Sequence, residues 1–213
     1  MKNVADPTIS RKAQSKSAKT QSSKTQSSKT ESKALFLDRD GVINVDHGYV
    51  GHYKDFEYLD GIFELVKSYS DYGYKIVIVT NQSGIARGLY TEQDFSVLMN
   101  AVKADFAQRG VGEIAIYYCP HHVDGAIAQY AVPCNCRKPK PGMLLQAADD
   151  LVINLSASIL IGDSWRDIEA AHAAGISKSY YLSEQAMPKS SEITSVIQVT
   201  QLNQVPHPHS STP

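Results

Sequence analysis

Acidic and hydroxyl side chains follow three predicted strands at the points where those strands end. Asp38 and Asp40 follow the first apolar run, Thr80 closes the second, and Asp163 follows the fourth. One such residue alone most often caps a helix or a turn. Several at the carboxyl edge of one parallel sheet crowd carboxylates together, which requires a cation, and oxygen-only ligation suits Mg²⁺. The pattern predicts a Mg²⁺ site at that edge.

A second set of ligand-type residues lies within one segment. Cys119-x-His121 is followed by Cys134-x-Cys136, which together offer three thiolates and one imidazole. Four protein ligands complete a tetrahedral structural Zn²⁺ site and leave no open position for catalysis. His122 is a neighbouring alternative to His121 as the nitrogen ligand. The odd number of cysteines argues against a disulfide framework and for a reducing compartment, so we expect a cytoplasmic protein.

Alternating strand and helix patterns predict the elements that must position these residues. The predicted strands are 34–37, 75–80, 114–118, 159–161 and 180–182, of which the last is the final strand. The predicted helices run from about Ile62 to Gly73, from Thr91 to Gly110, from Pro141 to about Leu151 and from about Ser164 to Ala174. This alternation predicts an α/β fold with a Rossmann-like parallel sheet and helices on both faces. The intervals between the motifs are too short for a large cap domain, so we expect an open site.

The net charge of −1 over 213 residues averages two unlike parts. Residues 1–33 carry eight basic and two acidic side chains and repeat Gln-Ser-Ser-Lys-Thr, which predicts a disordered basic low-complexity tail. A targeting segment is the open alternative for this tail. The other residues carry 13 basic and 20 acidic side chains, which disfavours nucleic-acid binding by the folded body.

The hydrophobic content of 42% is sufficient for a packed core. We expect one domain over residues 34–205 and a flexible C-terminal tail over residues 206–213. No apolar run approaches the length of a membrane span, so a membrane partner is not expected.

The ordered motifs resemble those of the haloacid-dehalogenase-like phosphatases. Four motifs carry the resemblance: Asp38-x-Asp40-Gly41, Thr80, Lys138 and Gly162-Asp163-x-x-x-Asp167. Longer runs within residues 38–49, 80–88, 117–121 and 136–139 resemble the heptose bisphosphate phosphatases of the histidinol-phosphatase-related branch. The resemblance covers about residues 34–180. It implies a Mg²⁺-dependent phosphatase that removes the 7-phosphate of D-glycero-D-manno-heptose 1,7-bisphosphate through an aspartyl-phosphate, in nucleotide-activated heptose synthesis for lipopolysaccharide.

The resemblance also implies roles for individual residues. Asp38 is the expected nucleophile, Asp40 the expected general acid and base, and Thr80 and Lys138 are expected to contact the phosphoryl group. The expected Mg²⁺ ligands are Asp38, the Asp40 backbone carbonyl and Asp163, while Asp167 orients Lys138 or a metal-bound water. The expected Zn²⁺ ligands are Cys119, His121, Cys134 and Cys136. The expected substrate-binding residues are Asp46, His47, Gly48, Tyr49, Asn81, Gln82, Ser83 and Arg137.

Two departures from the family pattern accompany these expectations. Val42 stands where Thr is common, and Ser164 stands where the heptose enzymes have Lys, which affects the expected contacts to sugar or phosphate. Histidinol-phosphate phosphatase is the alternative activity within the branch. A zinc-dependent nucleic-acid-binding module is the alternative from another class, and it leaves the three aspartates unexplained. An open, small site is compatible with the monomer that we expect.

Overall fold

The computed structural model describes residues 31–188, 193 and 195–208. Most of the predicted basic tail, residues 1–30, and the end of the predicted C-terminal tail, residues 209–213, lie outside this range. Ser32 and Lys33, at the end of the predicted tail, already bond to the folded body. The Ser32 N–H donates to the Val152 carbonyl at 2.9 Å, and the Lys33 carbonyl accepts from the Lys75 N–H at 2.9 Å.

In the described residues, six parallel strands form one sheet in the order β3-β2-β1-β4-β5-β6. The strands are β1 (Ala34–Leu37), β2 (Lys75–Asn81), β3 (Ile114–Cys119), β4 (Ile159–Gly162), β5 (Lys178–Leu182) and β6 (Val196–Val199). The order reverses between β1 and β4, and a crevice opens at such a switch point beyond the carboxyl ends of the strands.

Helices cover both faces of the sheet, as predicted. They are α1 (Ile62–Asp71), α2 (Ser83–Ala86), α3 (Glu92–Gln108), α4 (Gly142–Leu151) and α5 (Trp165–Ala174). Apolar side chains from α1 and α3 pack in one core cluster, and those from α4 and α5 pack in a second cluster on the opposite face. The strands alternate their side chains between the two clusters, so Leu35 joins the first and Phe36 the second.

The prediction that 180–182 is the last strand is wrong. Val196–Val199 forms a sixth strand that pairs in parallel with β5 at the edge of the sheet. Three of its four side chains are exposed or only partly buried. A four-residue strand of this kind has no continuous apolar run from which to recognise it.

Loops and short turns connect β1 to α1 and β3 to α4, and no large cap domain is present in the described part of the chain. The carboxyl edge of the sheet is therefore reached directly from solvent. None of the helices in the described ranges combines the length and apolar character needed to cross a membrane.

Candidate active site

The predicted site residues meet beyond the carboxyl ends of β1, β2 and β4. The predicted catalytic residues and most of the predicted substrate-binding residues line one cavity of about 340 Å³. Asp38 follows β1, Thr80 lies near the end of β2, and Asp163 follows β4. Lys138 enters from the segment before α4. The lining residues are Asp38, Asp40, Asp46, Gly48, Tyr49, Thr80, Asn81, Ser83, Arg87, Tyr90, His122, Arg137, Lys138, Asp163, Ser164, Arg166 and Asp167.

Lys138 is a buried cation between two carboxylates. Its Nζ lies 2.5 Å from Asp167 Oδ1 and 3.0 Å from Asp38 Oδ2, and it donates to the Val79 carbonyl oxygen at 2.7 Å. Burial opposes the charge, but attraction to the two carboxylates outweighs it and raises the pKa of Lys138. The ammonium is therefore held beside Asp38, where it can offset negative charge.

Asn81 holds the backbone that carries this lysine. Its Oδ1 accepts from the Lys138 N–H at 3.0 Å, and its Nδ2 donates to the Lys138 carbonyl at 3.1 Å. Two hydrogen bonds in opposite directions fix the peptide in position and orientation. Asn81 thus ties the segment before α4 to the end of β2, in addition to lining the cavity.

Three carboxylates form what we call the carboxylate cluster: Asp38, Asp163 and Asp167. Each offers an oxygen, and these oxygens lie within 4.8 Å of one another. Burial, followed by the charges of Asp38 and Asp167, raises the pKa of Asp163 to about 8. Crowded carboxylates of this kind are the donor set of a hard divalent cation such as Mg²⁺, which would relieve their repulsion. The site chemistry therefore fits Mg²⁺.

Asp40 lies at the edge of the same cavity and is held by several donors. Its Oδ2 accepts from Arg39 Nη2 at 2.6 Å and Nε at 3.1 Å, and its Oδ1 accepts from Asn44 Nδ2 at 3.1 Å. Burial raises the pKa of Asp40 against the opposing effect of the Arg39 charge. A carboxyl group with a raised pKa can both give and take a proton.

Thr80 and Gln82 occupy different positions although only one residue separates them. Thr80 lines the cavity, and its Oγ1 accepts from Gln82 Nε2 at 2.8 Å, so its own hydroxyl proton can be donated elsewhere. Gln82 is 1% exposed and does not line the cavity, although the sequence predicted a substrate contact there. Ser83, predicted as a substrate contact as well, does line it.

Only some residues of the predicted substrate loop, residues 46–49, line the cavity. Asp46, Gly48 and Tyr49 line the active-site cavity, and Asp46 Oδ1 accepts from the Gly48 N–H at 2.9 Å. His47 instead lines a neighbouring pocket, where its Nε2 lies 3.0 Å from Glu57 Oε2. The structure therefore does not bring His47 to the other predicted site residues.

Three arginines and one histidine from the segments after β2, β3 and β4 line the cavity. Burial and the charges of Arg137 and Arg87 lower the pKa of the histidine, His122, so the arginines supply the positive charge. We call these residues the cationic wall: Arg87, His122, Arg137 and Arg166. Arg87 Nη2 lies 3.4 Å from His122 Nε2, and the buried Nε of Arg87 has no hydrogen-bond partner among the described residues. Burial and the neighbouring cations Arg166 and Arg87 lower the pKa of Arg137. Among the described residues, none of the three guanidinium groups forms a salt bridge with a carboxylate, so the set suits an anion.

Only Arg137 of the cationic wall was predicted from the sequence. Arg87 lies at the end of the run that begins at Thr80, and Arg166 lies between Asp163 and Asp167. Both therefore belonged to recognised segments, yet no pattern in the sequence indicated where their side chains point. Arg166 Nε donates to Ser164 Oγ at 3.2 Å, which places this guanidinium beside the residue that departs from the family pattern.

The thiol cluster consists of Cys119, His121, Cys134 and Cys136. Cys119 Sγ lies 3.5 Å from Cys134 Sγ and 2.9 Å from Cys136 Sγ. His121 Nδ1 lies 3.3 Å from Cys136 Sγ and 3.7 Å from Cys119 Sγ. Ligand atoms at these separations can surround one tetrahedral ion with bonds of about 2.0–2.3 Å, so the donor set fits Zn²⁺.

His122 lies outside this cluster. Its Nδ1 accepts from the Asp124 N–H at 3.2 Å, and its Nε2 faces Arg87. The two adjacent histidines therefore have separate surroundings, one with the thiols and one with the cavity.

Comparison with known proteins places the chain among phosphatases. A family model described as HAD-hydrolase-like matches residues 135–202. The chain is similar to D-glycero-beta-D-manno-heptose-1,7-bisphosphate 7-phosphatase of Vibrio cholerae, with 45% identity over 175 residues, which are 82% of this chain and 94% of that protein. The protein of the same name from Escherichia coli K12 is 48% identical over 143 residues, which are 67% of this chain and 75% of that protein.

A solved structure shares the fold as well. It is the D,D-heptose 1,7-bisphosphate phosphatase from B. bronchiseptica, complexed with magnesium and phosphate. It is 33% identical, superposes with a TM-score of 0.62, and the match covers 70% of this chain and 79% of that one. The extent of these matches is sufficient to assign the family. The chain belongs to the haloacid-dehalogenase-like phosphatases, in the branch of the heptose bisphosphate phosphatases, and is a phosphoric monoester hydrolase.

Proposed function

We propose that the protein hydrolyses the 7-phosphate of D-glycero-D-manno-heptose 1,7-bisphosphate and retains the 1-phosphate. The observation that carries this proposal is one cavity that holds two sets of groups. Asp38, Thr80 and Lys138 can act on a phosphoryl group, and the cationic wall offers further positive charge. A bisphosphate has a second anion for that wall, and the names of the similar proteins support a heptose as the sugar that carries both phosphates.

The first step begins with attack by a carboxylate oxygen of Asp38 on phosphorus. An O–P bond forms to Asp38 while the bond from phosphorus to the sugar oxygen breaks, which yields an aspartyl-phosphate. Asp40 gives its proton to the departing alkoxide, so that the sugar leaves as an alcohol. Asp38 and Asp40 are two positions apart, which allows both carboxyl groups to reach one phosphate.

The second step reverses the role of Asp40. As a carboxylate it takes a proton from a water molecule, whose oxygen attacks the phosphorus of the aspartyl-phosphate. Inorganic phosphate leaves and the Asp38 carboxylate is restored. The raised pKa of Asp40 supports both tasks, because the group must be protonated in the first step and ionised in the second.

Thr80 and Lys138 stabilise the phosphoryl oxygens through both steps. The Thr80 hydroxyl can donate because its oxygen already accepts from Gln82. The Lys138 ammonium, fixed by Asp38, Asp167 and the Val79 carbonyl, offsets charge that develops on the transferred group. Asp167, which is itself buried, orients this lysine.

We assign the Mg²⁺ site to Asp38, Asp163 and the backbone carbonyl of Asp40. When bound, Mg²⁺ supplies positive charge between the nucleophilic carboxylate and the phosphate dianion. The protein contributes the placement of Asp163 through the end of β4. The carboxylate cluster supports Asp38 and Asp163, since Asp167 is paired with Lys138, and the magnesium in the solved relative accords with this assignment. The Asp40 carbonyl is the ligand that the family resemblance implies.

We assign Zn²⁺ to the thiol cluster, with a structural role. The four ligands close the site, and Arg137 and Lys138 come directly after Cys136 in the chain. A cross-link at Cys136 limits the movement of both cations and reduces the entropy lost when a phosphate binds. Zinc would thus influence turnover through position alone.

The product of this reaction is a heptose 1-phosphate, which suits nucleotide-activated heptose synthesis for lipopolysaccharide. The free thiols accord with a cytoplasmic location. We retain the division into a basic tail, a phosphatase domain over 34–205 and a C-terminal tail, with Ser32, Lys33 and Pro206 bonded to the domain at its two boundaries. A monomer with a small-molecule substrate, and no nucleic acid on the folded body, completes the proposal.

The deciding experiment is phosphate release from synthetic α and β heptose 1,7-bisphosphates, with histidinol phosphate as the competing substrate. We expect a kcat/KM for one heptose anomer at least about 100-fold above that for histidinol phosphate, with phosphorus NMR showing the 1-phosphate retained. Preference for histidinol phosphate would establish the alternative activity. Loss of the 1-phosphate instead of the 7-phosphate would contradict the assigned binding direction.

A further inference from the structure

A buried group of hydrogen bonds lies beside Asp40, and two of its members, Thr80 and Tyr90, also line the cavity. Gln82 is its centre: its side chain touches Asp40, Thr80, Arg39 and Tyr90 and is almost fully buried. The proposed chemistry uses Gln82 only as a donor to Thr80 and gives it no part at Asp40. The geometry of its amide is therefore an independent observation.

The direction of the Gln82 amide is determined by its neighbours. Its Oε1 lies 3.0 Å from Arg39 Nη2 and 2.6 Å from the Tyr90 hydroxyl. Arginine can only donate, so the atom facing it must be the amide oxygen. Nε2 then necessarily faces Asp40 Oδ2 at 3.1 Å and Thr80 Oγ1 at 2.8 Å. A flipped amide would set two donors against each other.

Two glycines make room for Tyr90 in this arrangement. A Cβ at Gly51 would lie 2.4 Å from the Tyr90 ring, and a Cβ at Gly84 would lie 2.3 Å from it. Any larger residue at either position would displace the ring. The backbone on both sides of Tyr90 is thus shaped so that its hydroxyl reaches Gln82.

The two oxygens of Asp40 consequently have different surroundings. Oδ2 accepts from Arg39 Nη2, Arg39 Nε and Gln82 Nε2, while Oδ1 accepts from Asn44 Nδ2 alone among the described residues. Three donors at Oδ2 leave no place there for a proton. The proton of a neutral Asp40 must therefore sit on Oδ1.

We propose that Gln82 is a positioning residue that, with Arg39 and Tyr90, anchors Asp40 Oδ2 so that Oδ1 is the atom that protonates the leaving sugar oxygen. The inference rests on the proposed function, because it assumes that Asp40 is the general acid. In the bond-breaking step the Oδ1–H proton passes to the alkoxide as the P–O bond to the sugar breaks. In the second step Oδ1 takes the proton of the attacking water.

This proposal predicts a dependence on the leaving group that a purely structural role would not produce. A sugar alkoxide needs a proton in order to leave, whereas p-nitrophenolate leaves as a stabilised anion. Hydrolysis of the aspartyl-phosphate is common to both substrates, so kcat/KM, which reports the bond-breaking step, is compared. We therefore expect Gln82→Met to lower kcat/KM for heptose 1,7-bisphosphate by about 30-fold and kcat/KM for p-nitrophenyl phosphate by less than about 3-fold. KM should change by less than about twofold, because Gln82 does not line the cavity.

The matched control is Gln108→Met, which removes an exposed amide at the end of α3. It should leave both activities unchanged. Gln82→Met leaves two buried donors without an acceptor, so its thermal unfolding is measured alongside. Tyr90→Phe, which removes a single hydroxyl, provides the second test, with an expected loss of about 3–5-fold on the sugar substrate alone.

Asp40→Asn separates failure of this inference from failure of the proposed function. Equal losses of kcat/KM on both substrates in Asp40→Asn would overturn the general-acid role and with it the proposed mechanism. A leaving-group-dependent loss in Asp40→Asn, together with equal losses or no loss in Gln82→Met and Tyr90→Phe, would overturn the role of Gln82 alone. If Gln82→Met does not fold, the Tyr90→Phe result decides by the same criterion.

Discussion

The carboxylate cluster and the thiol cluster are both ligand sets, yet they are built in opposite ways. The carboxylate cluster joins Asp38 after β1 to Asp163 after β4, and it lines the cavity around a buried lysine. The thiol cluster comes from one segment, with Cys119 and Cys136 only 17 positions apart, and it does not line the cavity. The carboxylate cluster therefore opens to the cavity, and the thiol cluster does not.

This difference separates chemistry from positioning. A site that binds a phosphate needs a metal ion with free coordination positions and nearby charges that balance the charge of the phosphate. Carboxylates together with a lysine provide both. A site that holds a loop needs four strong protein ligands and no access. Lys138 links the two clusters. It contacts Asp38 of the carboxylate cluster, and it lies two positions after Cys136 of the thiol cluster.

Removal of the proposed nucleophile should affect the carboxylate cluster most strongly and leave the thiol cluster intact. Asp38→Asn should lower kcat by at least about 10⁴-fold, because no other group can form the covalent intermediate. Zinc content should remain unchanged, since Asp38 lies outside the thiol cluster. Phosphate release and metal analysis measure the two effects. Asp55→Asn, an exposed control, should retain full activity; substantial turnover by Asp38→Asn would contradict the assigned mechanism.

The next effect is expected where the two sets meet. Lys138→Met leaves Asp38 and Asp167 without their shared cation, so kcat should fall by about 10²–10³-fold. The free energy of unfolding should fall by about 3–5 kcal/mol in Mg²⁺-free buffer, because buried charges lose their partner. Steady-state kinetics and urea unfolding test this. Lys75→Met, which changes an exposed residue at the start of β2, is the control. An unchanged kcat in Lys138→Met would contradict the role of Lys138 in the mechanism.

The thiol cluster should give a smaller but separable effect on activity. Cys134→Ser should lose bound zinc and lower kcat by about 10–30-fold, because Arg137 and Lys138 are held less firmly. Zinc content by metal analysis and kcat should fall together across a series of such variants. Full activity in a zinc-free protein would show that the thiol cluster does not position Arg137 and Lys138.

The smallest effect distinguishes the two adjacent histidines. His121→Ala should lose zinc, whereas His122→Ala should keep it and raise KM by about 3-fold through loss of one group in the cationic wall. Metal analysis of the pair is sufficient to test the assignment. Zinc retained by His121→Ala and lost by His122→Ala would reverse the two roles.

Local patterns predicted most of the fold because they report local physics. The run Ile76–Val79 predicted β2, and Thr91 with Asp94 predicted the start of α3, where the capping box is present. Val196–Val199 was missed because an edge strand is stabilised by its pairing with β5 rather than by its own apolar content. Pairing across a sheet leaves little trace in a four-residue segment.

The site was predicted to the level of residue type and segment, and less well to the level of side-chain direction. Gln82 and His47 both stood in segments that resemble substrate loops, yet one is buried beside Asp40 and the other bonds to Glu57. Arg166 was overlooked although it lies between two recognised aspartates. Direction depends on which neighbours the fold supplies, and those neighbours are distant in sequence.

The order of residues along the chain already sets the chemical groups available: aspartates at strand ends, a lysine after a loop with three cysteines and a histidine, and an alternating pattern that places them at one edge of a sheet. These depend on residue type and short spacing, which the chain carries locally. Tertiary contacts, by contrast, determine which oxygen of Asp40 is anchored and which arginines form the cationic wall. Those outcomes depend on contacts between segments that packing alone brings together, such as Gln82 with Arg39, 43 positions apart.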